Sequence, residues 1–288
     1  MSRASDAMGE ELLSWEDLRS RGAFEAFRES LFELLFRPTR FFGKMALSGG
    51  LLEPLSFFCI VLGAVVLAAF AAAFAYFWLA APDPATVSAE QYQEWMLLPE
   101  VTGMTLLLLP EVLAVSAGSM LLLGSLFHLP GRLFGARTWE GSISVWLYSA
   151  AAALIPLLAL LILSGLFSCA GLLAAALRLP AGPAFAAGAR WLSLIGIGLG
   201  GVALVGVLPA LASIGYARAF GLDGISGAAA GVGGTVFALA AVGALAWLGL
   251  RLGVGGGLSA YAAGAVAALA LAGAGLVVSI LVRRRSRR

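Results

Sequence analysis

One carboxylate and one imidazole interrupt sequence that is otherwise apolar. Glu111 follows Pro110 and stands eleven residues after Glu100 and seventeen before His128, with no Lys or Arg between those two. A carboxyl group in hydrocarbon is costly to ionise, so it is neutral, paired or open to water, and by default it marks a functional position. Pro110 frees a backbone carbonyl one turn earlier, which offers water a way in. Glu111 is therefore either the proton- or cation-responsive group of a small transporter or channel, or a protonated side chain bonded to a neighbouring helix. His128, beside Pro130, Gly131 and Arg132, is the chain's sole histidine. At the end of an apolar run it reads as a solvated neighbour of lipid headgroups rather than as a pH sensor.

Other chemical signatures fail on context. Gly196-Ile-Gly198-Leu-Gly200-Gly201 spells G-x-G-x-x-G, but it lies within an apolar run, and the acidic residue expected about 20 positions on is missing. No H-E-x-x-H, G-x-S-x-G, S-x-x-K or Walker A pattern occurs. Cys59 and Cys169 both sit inside apolar runs and supply neither a disulfide framework nor a metal set. With one histidine, most histidine-dependent catalytic and metal constellations are excluded. The expectation is a non-enzymatic protein with no cofactor and no metal.

Positive charge clusters elsewhere. Arg37, Arg40 and Lys44 alternate with Phe41 and Phe42 ahead of a Gly49-Gly50 turn, and after Glu53-Pro54 some 25 residues carry no charge. About 20 helical residues cross the ~30 Å hydrocarbon core of a bilayer. Basic residues within about 15–20 positions of a span fix its cytoplasmic side. Composition agrees: 61% of residues are hydrophobic and 12% charged, and mean hydropathy is +0.97, against roughly 45–50% apolar and 25% charged in soluble domains. Lipid, not water, is the expected solvent.

Six crossings follow, at about 54–79, 102–127, 143–167, 192–214, 227–250 and 258–282. Tyr76, Phe77 and Trp78 end the first at an interface, and the loop Ala80 to Glu100 carries acids and no Lys or Arg, as an external loop should. The second returns to a basic loop with His128, Arg132 and Arg137. The uncharged stretch Ile143 to Leu177 is too long for one core and short for two, so one crossing is expected to bend near Pro156 and continue as an apolar extension. That leaves Arg178 and Arg190 outside, a lesser breach than a seventh crossing, which would put the RRRSRR tail outside. The tail reads as a topological anchor on anionic lipid rather than a nucleic-acid site. Both termini are then cytoplasmic. One lysine against seventeen arginines points weakly to a bacterial source, hence a bacterial inner membrane.

The N-terminus reads as polar to about residue 13, with a helix start at Ser14-Trp15-Glu16-Asp17. From Phe24, the apolar positions Phe24, Phe27, Leu31 and Leu34/Leu35 share one helix face between Glu25, Arg28, Glu29 and Glu33. That is an amphipathic helix lying on the membrane surface or against the bundle; a docking face for a soluble partner is the sharper alternative. Small residues recur at four-residue spacing in Gly196-xxx-Gly200, Gly227-xxx-Gly231 and Ala260-xxx-Gly264-xxx-Ala268. Such stripes let backbones approach closely, and packing within the monomer is preferred to self-association.

The run F-x-x-L-F-x-P-x-x-F-F-x-x-M, then G-G, then P-L-x-F, from Phe32 to Phe57, resembles the opening of the Yip1-domain family. His128 with Arg132 to Gly135, Thr138-Trp139 and Tyr148-Ser149-Ala150 ahead of Pro156 is similar to that family's middle. Gly215 to Gly221 followed by Gly224-Ile225-Ser226 looks like its turn between the last two conserved crossings. The likeness spans about Leu31 to Leu250. It departs where the family's second glycine is Ala136, and in the added segment from Leu258, since eukaryotic members have five crossings. Those members are trafficking proteins that bind Rab GTPases and shape membranes; nothing in residues 1–53 identifies a Rab site.

The expectation is an all-α polytopic membrane helical bundle of about six transmembrane helices, five in the part that resembles the Yip1 family and one C-terminal, preceded by an interfacial amphipathic helix. Its parts are a cytoplasmic segment 1–30, a membrane domain 31–250, and a last helix with basic tail 251–288. The expected role is organising or adaptor: Arg37, Arg40, Phe41, Phe42, Lys44, Arg132 and Arg137 would form a cytoplasmic interface for membrane lipids or a membrane or cytoplasmic protein. No nucleic acid is expected, and a homo-oligomer is left open.

Overall fold

The computed structural model describes residues 22–45, 50–79, 109–177 and 206–251, with single positions such as Leu13, Trp15, Leu47 and Phe185 between them. Every described element is helical: α1 (Ala23–Phe36), α2 (Pro38–Lys44), α3 (Leu52–Leu79), α4 (Leu109–Phe134), α5 (Trp139–Ala176), α6 (Leu208–Ala219) and α7 (Gly224–Arg251). The acidic loop 80–100, Arg178, Arg190, the Gly196 stripe, the sixth crossing and the arginine tail lie outside the described residues.

Three helices, in α3, α4 and α5, are long and apolar enough to cross a membrane, and a third or less of each apolar window is buried. Leu67 of α3, Leu122 of α4 and Ile162 of α5 all face outward. Apolar surface on that scale marks a membrane interaction surface, and lipid is the solvent that tolerates it. The chain is a membrane protein. Three serines on these helices are satisfied locally: Ser119, Ser125 and Ser168 each donate to the carbonyl four residues back, at 2.8, 2.7 and 3.0 Å. Without water in the core, such bonds are the cheapest way to place a serine there.

Two helices, α4 and α6, end later than expected. Helix α4 ends later than the crossing 102–127, so the basic loop shrinks to the turn 135–138 and His128 lies inside the helix. Gly135, at φ 113°, closes α4 with paired bonds from Ala136 N–H to Gly131 O (3.0 Å) and Gly135 N–H to Arg132 O (3.3 Å). This is the Schellman arrangement, whose left-handed residue favours glycine. Helix α5 is one 38-residue helix with Pro156 inside it, about 57 Å at 1.5 Å per residue. No hairpin interrupts it. Helix α6 carries on through Tyr216 to Ala219, so the expected loop from Gly215 is confined to residues 220–223. Helix α7 covers the expected fifth crossing; its described apolar part, Gly224–Ala238, is shorter than a span.

The chain divides into two compact units. The first takes in the N-terminal segment to Phe57, residues 120–152 and the chain from Val207; the second takes in residues 58–119 and 153–206. In the second, a Cβ at Gly63 would stand 3.9 Å from Leu113 and one at Gly165 3.6 Å from the Ala72 backbone, so α3 packs on both neighbours at ordinary van der Waals contact.

Candidate functional site

The first unit is where the sequence's candidates collect. Proline organises its entry. Pro38 is the first residue of α2, and the residue before a proline is driven from helical geometry, so Arg37 (φ −138°, ψ 52°) ends α1. That corner turns Phe41 and Phe42 fully inward, while Arg37 and Arg40 remain exposed.

Phe41 and Phe42 are therefore core residues, a correction to their expected place in an interface. Phe41 meets Tyr148 edge-on (4.9 Å), Tyr148 meets Phe57 (5.3 Å), Phe57 meets Phe27 (5.0 Å), and Trp15 stands edge-on to Phe27 and Phe57 (5.8 and 5.7 Å). Aromatic pairs in such geometries add about 0.5–1.5 kcal/mol each beyond burial. Phe42 lies against Gly215 of α6. Five segments of the chain, the Trp15 turn, α1, α2, α3 and α5, are joined by this aromatic column.

Trp15 is the residue that sequence reasoning missed. It sits in a turn, is 3% exposed, donates its backbone N–H to Ser30 Oγ (2.9 Å) and its indole N–H to Glu53 O (2.8 Å). Leu13 is likewise buried. Ser14, Glu16 and Asp17 of the expected helix start lie outside the described residues. Trp15 thus pins α1 to the first turn of α3. The buried residues of α1 are Ala26, Ser30 and Leu34; of the expected face, Leu34 is buried and Phe27 packs on Trp15 and Phe57, whereas Phe24 is 81% exposed. The Trp15–Ser30 bond brings a serine inward and turns Phe24 out.

Charge braces the same corner. The Glu33 carboxylate takes Lys44 at 3.0 Å and Arg40 at 3.6 Å. Lys44 and Glu33 are largely enclosed, with 16% and 18% of their side chains exposed, so this pair ties α1 to α2 more firmly than an open surface pair would. Arg132 and Arg137 are exposed on either side of the α4–α5 turn.

His128 is engaged rather than solvated. Its Nδ1 lies 2.9 Å from Ser142 Oγ across the α4–α5 hairpin, and Ser142 donates to Thr138 O (3.2 Å). Tyr216 of α6 donates to Phe127 O (3.2 Å), packs on Phe127 (5.1 Å), and fills the space beside Gly131. Glu111 joins neither cluster: it is exposed, in the first turn of α4, and belongs to the second unit.

The α6–α7 hairpin closes the unit. Gly231 lies against the Ser213 backbone and Gly227 against Ala217, so this small-residue stripe is filled by the chain's own helix. Asp223 caps α7 by accepting from Ser226 N–H (3.2 Å). The hydrogen bonds from Ser226 hold its carboxyl below the usual carboxylate range. In chemical terms the unit offers exposed guanidinium groups around an aromatic, hydroxyl-rich interior. No family model, curated protein or solved structure matches the chain.

Proposed function

We propose that the chain is a non-enzymatic, Yip1-like integral membrane protein acting as an organiser or adaptor, with six crossings and both termini in the cytoplasm. Its working face would be formed by α1, α2, the α4–α5 turn and the basic tail. One observation carries this. Residues from the three stretches that resemble the family (Phe41, Phe42 and Phe57; Gly135 and Tyr148; Gly215 and Tyr216) all fall in one compact unit, and five of them are fully buried aromatics. Such agreement supports a shared architecture, because a chance likeness would not gather its residues in one core. Arg37, Arg40, Arg132 and Arg137 belong to that unit and are exposed, which suits recruitment of an acidic partner or anionic headgroups.

Transport through Glu111 gains no support from its exposed place in the other unit, so it is not advanced. The test is photo-cross-linking in native membranes from Arg137 and, as a control, from Val115, which faces outward on α4. A defined set of neighbours captured at Arg137 and not at Val115 supports the proposal. Equal, non-selective capture at both positions contradicts it.

A further inference from the structure

Helix α1 carries an apolar stripe that its own fold leaves uncovered. Phe24, Phe32 and Phe36 are 81%, 53% and 69% exposed, and the Phe32 and Phe36 rings pack on one another at 4.8 Å. With Arg28 they recur every fourth residue, so all four share a face. The opposite face, Ala26, Ser30 and Leu34, is already buried, and rolling the helix to hide the phenylalanines would expose it. Left in water, each phenylalanine forgoes much of the gain from burying its ring.

The height of α1 relative to a span is fixed. Trp15 bonds both Ser30 of α1 and the Glu53 carbonyl in the first turn of α3, and Phe27 of α1 packs on Phe57 of α3 at 5.0 Å. Helix α3 carries Glu53 in its first turn and no charge after it, so its first turns mark the boundary between hydrocarbon and headgroups. Leu52 itself is 74% exposed there. The phenylalanine stripe is held at the level of that boundary, where aromatic rings settle. The cations beside it match: Arg28 lies on the stripe, paired only loosely with Glu25 at 3.9 Å, and Arg37 follows Phe36 directly and is exposed. Guanidinium groups on flexible stems reach phosphate while their methylenes stay with lipid.

We infer that the Phe24–Phe32–Phe36 face of α1, flanked by Arg28 and Arg37, is a contact site for an anionic phospholipid leaflet. Held there by the Trp15 bridge, the helix acts as an interfacial outrigger to the first span. This rests on the membrane-organiser reading above and names the lipid class that one face of it takes. Phosphatidylglycerol-type headgroups satisfy the chemistry. A partner helix or a second copy of the chain would cover the rings without needing the arginines.

The test uses the full chain, with Cys59→Ser and Cys169→Ser, reconstituted in lipid nanodiscs and labelled with bimane at Phe36→Cys or, as a depth standard, at Leu67→Cys. Quenching by shallow doxyl-lipid is compared with quenching by aqueous iodide, in phosphatidylcholine with and without phosphatidylglycerol. The expected result is lipid-quencher access at position 36 several-fold above iodide access, rising with phosphatidylglycerol, and loss of that rise on Arg37→Gln. Iodide access at position 36 with lipid access at position 67 overturns the inference while leaving the spans intact. Iodide access at both overturns the membrane reading itself. Quenching by neither agent at position 36, or lipid access indifferent to phosphatidylglycerol, also overturns the inference, the first in favour of a protein cover. A label at Phe32→Cys repeats the measurement, should position 36 perturb folding.

Discussion

The hydroxyl of Tyr216 donates to the backbone carbonyl of Phe127 at 3.2 Å, joining α6 to α4 across 89 residues of sequence. The ring fits only because position 131 has no side chain: a Cβ on Gly131 would stand 2.7 Å from the phenol Cζ. Tyr216→Phe removes the bond but keeps the ring, and is expected to cost about 0.5–1.5 kcal/mol. Gly131→Ala forces a buried tyrosine to move and should cost about 1–3 kcal/mol. Thermal unfolding in detergent ranks the two. Gly131→Ala being neutral would mean that the tyrosine is not seated there.

The α6–α7 hairpin gives a second contrast between glycines. A methyl at Gly231 collides with the Ser213 backbone, whereas one at Gly43 of α2 meets nothing within 4 Å. Backbone cannot swing aside as a side-chain tip can, so Gly231→Ala is expected to destabilise by about 1–3 kcal/mol. Gly43→Ala should be neutral or stabilise by up to about 1 kcal/mol, since alanine loses less backbone entropy on folding. Paired melts of the two variants decide it, and equal effects would deny the close approach.

Trp15 is expected to matter more than any other residue ahead of α1. Trp15→Ala removes the buried ring and the indole bond to Glu53 O while keeping the backbone N–H that bonds Ser30 Oγ, at a cost of about 3–5 kcal/mol. Ser30→Ala deletes only the acceptor for its N–H and should cost about 1–3 kcal/mol. Limited proteolysis checks the structural side: Trp15→Ala should open α1 to cleavage while the rest of the chain stays protected. An unchanged digest would detach Trp15 from the fold.

Acid should loosen the start of α7. The Asp223 carboxyl is held below its ordinary value by the bonds from Ser226, so its folded pKa lies under its unfolded one. Its contribution is then complete above the unfolded value, near pH 4, and fades as pH falls through the folded value. Asp223→Asn keeps a capping oxygen but cannot titrate, so below pH 4 it should lose less stability than the parent. Melting temperatures between pH 7 and pH 3 provide the check, and parallel curves would remove Asp223 from the cap.

Much of this fold is legible where the signal is local. The uncharged run after Pro54 predicts α3 to within two residues of Leu52–Leu79, and Pro38 marks the start of α2. Signals fail where distant partners decide. His128, Pro130 and Arg132 look like the end of a helix, yet α4 continues through them because Ser142 receives the imidazole and Tyr216 backs Gly131. Phe41 and Phe42 look like an interfacial pair beside their arginines, but Tyr148 of α5 packs on Phe41 and Gly215 of α6 lies against Phe42. Nothing around Trp15 in the sequence hints that Glu53, 38 residues on, accepts its indole hydrogen. The small-residue stripe at Gly227 and Gly231 leaves two occupants open, and only the position of Ser213 selects one.

Everything above depends on lipid bathing the outward faces of α3, α4 and α5. The direct measurement is spin-label accessibility at Leu67, Leu122 and Ile162, which face outward on those three helices, with each replaced by cysteine in a Cys59→Ser, Cys169→Ser chain in proteoliposomes. Oxygen, which partitions into hydrocarbon, should collide with all three labels far more often than a water-soluble nickel complex does. Collision chiefly with nickel at these positions would place the helices in water and contradict the membrane assignment.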